Sequence, residues 1–140
     1  WLASADISKK PQNLQTESEN VPLVVGYHGA DVRVLCGSFE GKTGPFNPSC
    51  GESLMLDITL SPGAAFTYPV PPENNTLVYV FGGRAHFGEG EDLFFGKDSF
   101  LHMYGGTVTA YTLQTGARFL LLSAAAEKTK NLNFNKIPLK

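Results

Sequence analysis

Histidines and carboxylates are the residues of this sequence best suited to chemistry at neutral pH. Imidazole exchanges protons in this range and ligates metal ions, and a nearby carboxylate completes many metal sites. The three histidines, His28, His86 and His102, lie on separate segments, without a His-x-His pair or a carboxylate at ligand spacing. This arrangement favours isolated structural or surface histidines, and no residue is predicted to be catalytic or to ligate a metal.

A small group of polar and aromatic side chains is predicted to line a shallow pocket for a flat ligand. His86 and His102 fall in segments with strand character, and Tyr104 lies two residues after His102, on the same strand face. Most of the 10 Phe and 5 Tyr residues are expected in the core, because aromatics dominate the packing of small β-barrels. The candidates for the pocket are His86, His102, Tyr79, Tyr104 and Glu52.

The charge balance and the apolar runs argue against two classes of partner. With 11 Lys and Arg against 13 Asp and Glu, the formal net charge of −2 gives no general attraction for phosphate backbones. The apolar run 119–122 is far shorter than the roughly 20 residues that cross a bilayer, and no signal-peptide pattern opens the chain. We therefore expect no direct nucleic-acid or membrane partner, and a cytoplasmic protein, with the nucleus as the alternative in a eukaryote.

The sequence contains two cysteines, Cys36 and Cys50, and they do not form a Cys-x-x-Cys pair. In a chain without signs of secretion, two such cysteines are more often reduced and structural than disulfide-bonded or redox-active. We expect both thiols to be reduced.

Short β-compatible segments bounded by turn residues extend through most of the sequence. Residues 32–36 alternate, and the run 54–60 closes with the turn residues Ser61, Pro62 and Gly63. Eight or nine short strands without a long helix predict an all-β fold, an antiparallel β-barrel or jelly roll. Further strands are expected at 65–70, 77–81, 85–87, 93–95, 99–104, 108–113 and 118–123.

The two ends of the sequence are predicted to lie outside the packed domain. Residues 1–20 are polar, contain Pro11 and lack a sustained period, which is typical of a linker or arm. Order is expected over 21–125, with a brief helical tendency at 124–126, and residues 126–140 are expected to form a flexible tail. Because the sequence begins at Trp1 rather than Met, we expect a fragment, a single domain or a processed chain.

The segment 54–88 resembles a known family. It reads LMLDITLSPGAAFTYPVPPENNTLVYVFGGRAHFG and holds an aliphatic-Asp-aliphatic strand, a Pro-Gly-Ala turn, a Pro-x-Pro step and an aromatic strand that ends in Gly. These features resemble the middle of the C-terminal cupin domain of pirins, and the flanking segments VRVLCGSFEGKTGPF and RFLLLSA fit the same domain. The resemblance covers 21–125 and implies a cupin fold, a double-stranded β-helix, whereas the tail EKTKNLNFNKIPLK does not match.

The resemblance also implies where a cupin metal site would lie, and this sequence lacks its ligands there. With the closing glycine of the first cupin motif at Gly83, the glutamate position is Thr76 and the histidine pair falls at 69 and 71, or at 70 and 72. The histidine of the second motif falls near Thr107. Neither proline, valine nor threonine replaces these ligands. Since the iron-type site of pirins lies in their N-terminal half, iron is expected only in a missing N-terminal domain, with no cofactor in this chain.

Two functions from different classes follow from the resemblance and the pocket candidates. The first is a non-catalytic cupin domain that packs against a metal-binding N-terminal cupin half or another protein, within a transcription cofactor or a quercetin 2,3-dioxygenase of the pirin type. The second is a free-standing small-molecule binder or a metal-independent sugar-processing cupin. This chain alone is not expected to be an enzyme. Assembly into a homo-oligomer is left open as an alternative. An exposed apolar face would favour the first function, and a deep polar pocket the second.

Overall fold

The computed structural model describes residues 15–46, 51–90 and 93–126, which form short strands almost throughout. No helix in these ranges is long and apolar enough to span a membrane. The elements are a 3-10 turn, Ser18–Asn20, and the strands β1 Leu23–Tyr27, β2 Ala30–Cys36, β3 Ser38–Phe39, β4 Lys42–Thr43, β5 Leu54–Leu60, β6 Ala65–Pro69, β7 Asn74–Phe87, β8 Phe94–Gly96, β9 Phe100–Met103, β10 Thr107–Tyr111 and β11 Ala117–Ala125.

The strands form one curled antiparallel sheet. Neighbouring strands follow the order β1-β2-β5-β11-β7-β10-β6, and β8 and β9 also pair with β7. Strands β3 and β4 form a separate small hairpin. Since β2, β5 and β11 are far apart in sequence, the sheet is assembled by pairings between distant segments. The predicted all-β antiparallel class is confirmed.

The long strand β7 connects the two halves of the curled sheet. Its first part pairs with β11 and β9, and residues 84–87 pair with β8 and β10. The change of partner occurs at Gly82 and Gly83, where Gly83 has a φ of 67°. The sequence predicted a strand end at these glycines. The prediction is wrong because glycine here allows the strand to bend and continue, as at the corner of a barrel.

The core lies between the two halves of the sheet and is centred on Phe119 of β11. The Phe119 ring makes edge contacts with Phe87, at a centroid distance of 5.1 Å, and with Phe66, at 6.2 Å. These rings come from β11, β7 and β6, so the contacts join the two halves. On each side, alternate residues face inward, and they include the fully buried Val32, Val34, Leu56, Ile58, Val78, Val80 and Leu121.

Three local features differ from the sequence-based expectations. Strand β1 and the hairpin β3–β4 were not predicted, because each is stabilised mainly by pairing with a neighbour rather than by its own residue pattern. Residues 124 and 125 are not helical. They extend β11 opposite Asn75 and Asn74, so ladder pairing overrides the helix propensity of alanine.

The expectation for the cysteines is wrong at Cys36, which is disulfide-bonded. Cys36 ends β2 opposite Met55 of β5, so antiparallel pairing brings together segments that are distant in sequence. The other cysteine, Cys50, lies outside the described residues.

The predicted linker and tail fall mostly outside the described residues. Within the predicted linker, the structure shows the 3-10 turn Ser18–Asn20 immediately before β1. The boundaries at 20 and 125 therefore stay predictions.

Candidate functional site

A pocket of about 310 Å³ opens at one end of the barrel. It is built where β2, β6 and β11 end and where β5 and β7 begin, so its walls come from segments that meet only in the folded chain. The polar residues that line it are Ser38, Glu52, Ser53, Tyr68, Asn74 and Ser123.

A hydroxyl network forms one wall of this pocket. The Asn74 amide donates to Ser123 Oγ over 3.0 Å, and Thr76 Oγ1 donates to the same oxygen over 3.1 Å. Ser123 is 1% exposed. Because its oxygen already accepts two hydrogen bonds, its own hydrogen remains to be donated to another group. This wall therefore offers a fixed hydroxyl donor.

Tyr68 and Glu52 add a phenol hydroxyl and a carboxylate to the pocket lining. Tyr68 packs against Phe39 at a centroid distance of 5.0 Å and against Phe66 at 6.3 Å. Burial first, and the charge of Glu40 second, raise the pKa of the Tyr68 hydroxyl. It therefore stays protonated at neutral pH. Glu52 is exposed at the pocket and is a carboxylate acceptor.

The residues at the expected metal-ligand positions of the cupin motifs do not suit a metal ion. Pro69, Val70 and Pro71 line the pocket, Thr76 is occupied by its bond to Ser123, and Thr107 begins β10. Among the residues the structure describes, no group of three or more His, Cys, Asp or Glu could hold an ion. A first-row metal requires several nitrogen, sulfur or carboxylate ligands around one point, and this pocket presents hydroxyls and prolines instead.

Of the five pocket candidates predicted from the sequence, Glu52 lies at this pocket and the other four lie elsewhere. Tyr79 is on the outer side of β7 and donates to Asp98 Oδ1 over 2.9 Å. The rings of His102 and Tyr104 lie 4.4 Å apart and are exposed on and beside β9. The structure thus separates residues that the sequence analysis had grouped, and a ligand-binding role for any of them stays a prediction.

His86 is enclosed in an aromatic cluster away from the pocket. It is 3% exposed, stacks on Tyr111 at 4.5 Å and meets the edge of Phe94 at 5.1 Å. Its Nε2 donates to the carbonyl oxygen of Gly90, whereas Nδ1 has no partner among the described residues. A carbonyl oxygen can only accept, so this contact requires a proton on Nε2.

The polar pocket residues that were not predicted from the sequence are Ser38, Ser53, Tyr68, Asn74 and Ser123. Each is common in strands or turns, and none belongs to a motif that marks a ligand site. The one usable signal is position, because each lies near the end of a strand on the same side of the sheet.

A second feature is an apolar surface on the outer side of the sheet, which we call the outer patch. Along β7 and β11 the inward residues alternate with outward ones, and in the middle of both strands the outward ones are also apolar. Phe100 is 64% exposed and Phe81 is 41% exposed. The outer patch consists of Met55, Leu77, Tyr79, Phe81, Phe100, Leu120 and Leu122.

Strand register makes the outer patch continuous. Leu122 lies opposite both Met55 and Leu77, and Leu120 lies opposite Tyr79, which in turn lies opposite Phe100. The Phe81 ring contacts Tyr79 edge-on at 5.2 Å. The patch therefore crosses four adjacent strands.

An ion pair borders the outer patch. Asp57 lies in the apolar strand β5 and is 7% exposed. Arg118 covers it with two bonds, Nε to Oδ1 at 2.9 Å and Nη2 to Oδ2 at 2.6 Å. The guanidinium also lies 5.6 Å from the Phe81 ring. Arg118 therefore balances the charge of the Asp57 carboxylate, and the surface beside the ion pair is apolar.

The sequence matches the family described as Pirin C-terminal cupin domain over residues 55–129. It is similar to a Pirin-like protein of Arabidopsis thaliana, with 36% identity over 88 residues that cover 63% of this chain and 28% of that protein. The chain thus spans between 27% and 28% of the length of the curated relatives it matches.

Two solved structures share the fold. Protein GK1651 of Geobacillus kaustophilus has a TM-score of 0.73 and 22% identity, with 93% of this chain and 53% of that chain covered. Quercetin 2,3-dioxygenase of Acinetobacter baumannii has a TM-score of 0.65 and 21% identity, with 78% of this chain and 38% of that chain covered. At these identities the likeness shows the fold alone.

Proposed function

This chain belongs to the pirin family through its C-terminal cupin domain, and we propose that it is a non-catalytic half that packs against a metal-binding N-terminal cupin half. The outer patch is the observation that carries this proposal. In an intact pirin-like protein, which is a transcription cofactor or a quercetin 2,3-dioxygenase under this proposal, the chain supplies a docking surface. The metal chemistry belongs to the other half.

The residue pattern of the central strands supports a covered outer face. A sheet with one face in solvent normally alternates apolar and polar residues, whereas strands covered on both faces are continuously apolar. Strand β11 has the run Phe119, Leu120, Leu121 and Leu122, with successive side chains on opposite faces. Burying only its core face would leave two leucines of the central strand without a partner.

The length of the relatives supports an N-terminal cupin half as the occupant of the outer patch. This chain corresponds to 28% of the Arabidopsis relative, so most of a pirin-like protein lies outside the matched segment. A second cupin half is of the right size to cover a surface that crosses four strands. Exposed aromatics such as Phe100 are typical anchors of such interfaces.

The proposal is tested by mixing this chain with a separately prepared N-terminal cupin half of a pirin-like protein. Calorimetry and sedimentation velocity should show a one-to-one complex. The double substitution Phe81→Ser and Phe100→Ser should weaken it at least about 30-fold, because each anchor in an interface contributes on the order of 2 kcal/mol. The matched control is Val25→Ser with Leu113→Ser, which removes two similarly exposed apolar residues outside the patch.

The same measurements can overturn the proposal. The absence of a complex at about 100 μM, well above the dissociation constants usual for stable domain contacts, would reject the docking role. An equal loss of affinity in the control pair would place the interface elsewhere. If the chain instead forms a homo-oligomer that the Phe81 and Phe100 substitutions dissolve, the occupant is a second copy and the proposed partner is wrong.

A further inference from the structure

The pocket at the end of the barrel has the size of a small-molecule site and a lining rich in hydroxyl groups. Its volume of about 310 Å³ lies within the range of known ligand pockets. We propose that it binds a neutral polyol of monosaccharide size. This inference goes beyond the docking role, and the pocket shares no residue with the outer patch.

The hydrogen-bonding groups of the pocket match a ligand that both donates and accepts. The Ser123 hydroxyl can donate a hydrogen bond to a ligand, because its oxygen already accepts bonds from Asn74 and Thr76. Ser53 is 3% exposed and lines the pocket, and its hydroxyl can both donate and accept a hydrogen bond. The protonated hydroxyl of Tyr68 adds a further donor and acceptor. Sugar hydroxyls combine the same two roles.

The charge of the pocket disfavours anionic ligands. Glu52 is the one ionised side chain among the described residues that line it, and they include no Lys, Arg or His. A phosphate or carboxylate ligand would meet this negative charge without a compensating cation. A carboxylate instead accepts two hydrogen bonds from neighbouring hydroxyls of one ligand, with one bond to each oxygen.

The apolar part of the lining suits the carbon face of a sugar better than a flat aromatic ligand. Leu54, Pro69 and Pro71 provide small apolar surfaces, and Tyr68 is the one aromatic ring of the described lining. A flat polyphenol is held best between two aromatic or extended apolar walls. A pyranose ring needs only one such surface for its C–H groups.

The test is an NMR titration of the ¹⁵N-labelled chain with D-glucose, D-galactose and D-mannose, alongside glucose 6-phosphate and quercetin. At least one neutral sugar should shift the amide signals of residues 51–54, 68, 70 and 123 in a saturable manner. Glu52→Gln should weaken this binding about tenfold, since a bond to a charged group is lost. The matched control is Glu89→Gln, which neutralises an exposed carboxylate that does not line the pocket.

Ser123→Ala should abolish the shifts, with Ser99→Ala as its control. Because Ser123 is buried, its loss affects folding as well, and the exposed Glu52 therefore provides the decisive variant. The absence of saturable shifts with all three sugars would overturn the proposal. So would binding of quercetin or glucose 6-phosphate alone, and so would equal affinity of Glu52→Gln and the unchanged chain. None of these outcomes bears on the docking experiment.

Discussion

At the scale of single residues, the hydrogen bond between Tyr79 and Asp98 makes a prediction about pH. The bond from the Tyr79 hydroxyl, and then the negative charge of Asp98, raise the pKa of Tyr79 above its ordinary value of 10.0. The raised folded-state pKa means that this bond stabilises the fold fully below pH 10 and is lost as the pH rises through the folded pKa. Absorbance at 295 nm should therefore show Tyr79 ionising later than an ordinary tyrosine.

Two substitutions assign that transition. Tyr79→Phe should remove it, and Asp98→Asn should move it back towards pH 10. Asn is the matched replacement because Asp98 has a φ of 67°, a conformation that Asn tolerates better than most residues. An unchanged titration curve in Asp98→Asn would show that the bond does not control Tyr79.

Residue patterns revealed only part of the candidate site. Glu52 was predicted as a pocket residue and lies at the pocket, whereas Ser53, Tyr68 and Ser123 were missed. These residues line the pocket because the ends of several strands meet there. The residue pattern of one strand does not show which other strands it will meet. Asp57 shows the same limit, because its apolar neighbours gave no sign of Arg118, which reaches it across the sheet.

At the scale of elements, the corner of β7 depends on one glycine. A Cβ added at Gly83 would lie 1.9 Å from the carbonyl oxygen of Gly116, and the φ of Gly83 is also unfavourable for other residues. Gly83→Ala should therefore lower the free energy of unfolding by about 3 kcal/mol or more, or prevent folding. Gly82→Ala is the control, because a Cβ there meets nothing within 4 Å. We expect it to change stability by less than about 1 kcal/mol.

Urea denaturation, monitored by far-UV circular dichroism, measures the free energy of unfolding of both variants. Equal destabilisation would mean that the corner tolerates a side chain and that the close approach to Gly116 relaxes at little cost. Solubility of Gly82→Ala together with aggregation of Gly83→Ala would support the structural role of the corner.

Element prediction from sequence succeeded where the pattern was local. The run 54–60 became β5 with the same bounds, since β-compatible residues and a Pro-Gly turn specify both the strand and its end. It failed where a partner strand decides the outcome, as for β1 and for residues 124 and 125. The pair Gly82 and Gly83 is ambiguous in sequence, because glycines end strands as often as they bend them.

At the scale of the whole molecule, the fold keeps the three histidines apart. His28 lies in the turn between β1 and β2, His86 is enclosed beneath Phe94 and Tyr111, and His102 is exposed on β9. A stable site requires three or four ligands at about 2 Å from one ion, which these positions cannot supply together. Among the described residues the carboxylates do not complete such a group either.

We therefore predict that this chain retains little metal. After incubation with excess Fe(II), Zn(II) and Ni(II) and then desalting, elemental mass spectrometry should find less than about a tenth of an equivalent, because the described residues form no closed ligand set that would hold the ion against dilution. A pirin-like protein that contains its N-terminal half is treated in parallel and is expected to keep iron. It serves as the control for losses during desalting. Near-stoichiometric retention by this chain that His86→Ala or His102→Ala abolishes would mean that the histidines converge in solution. The division between a metal-binding half and a docking half would then be wrong.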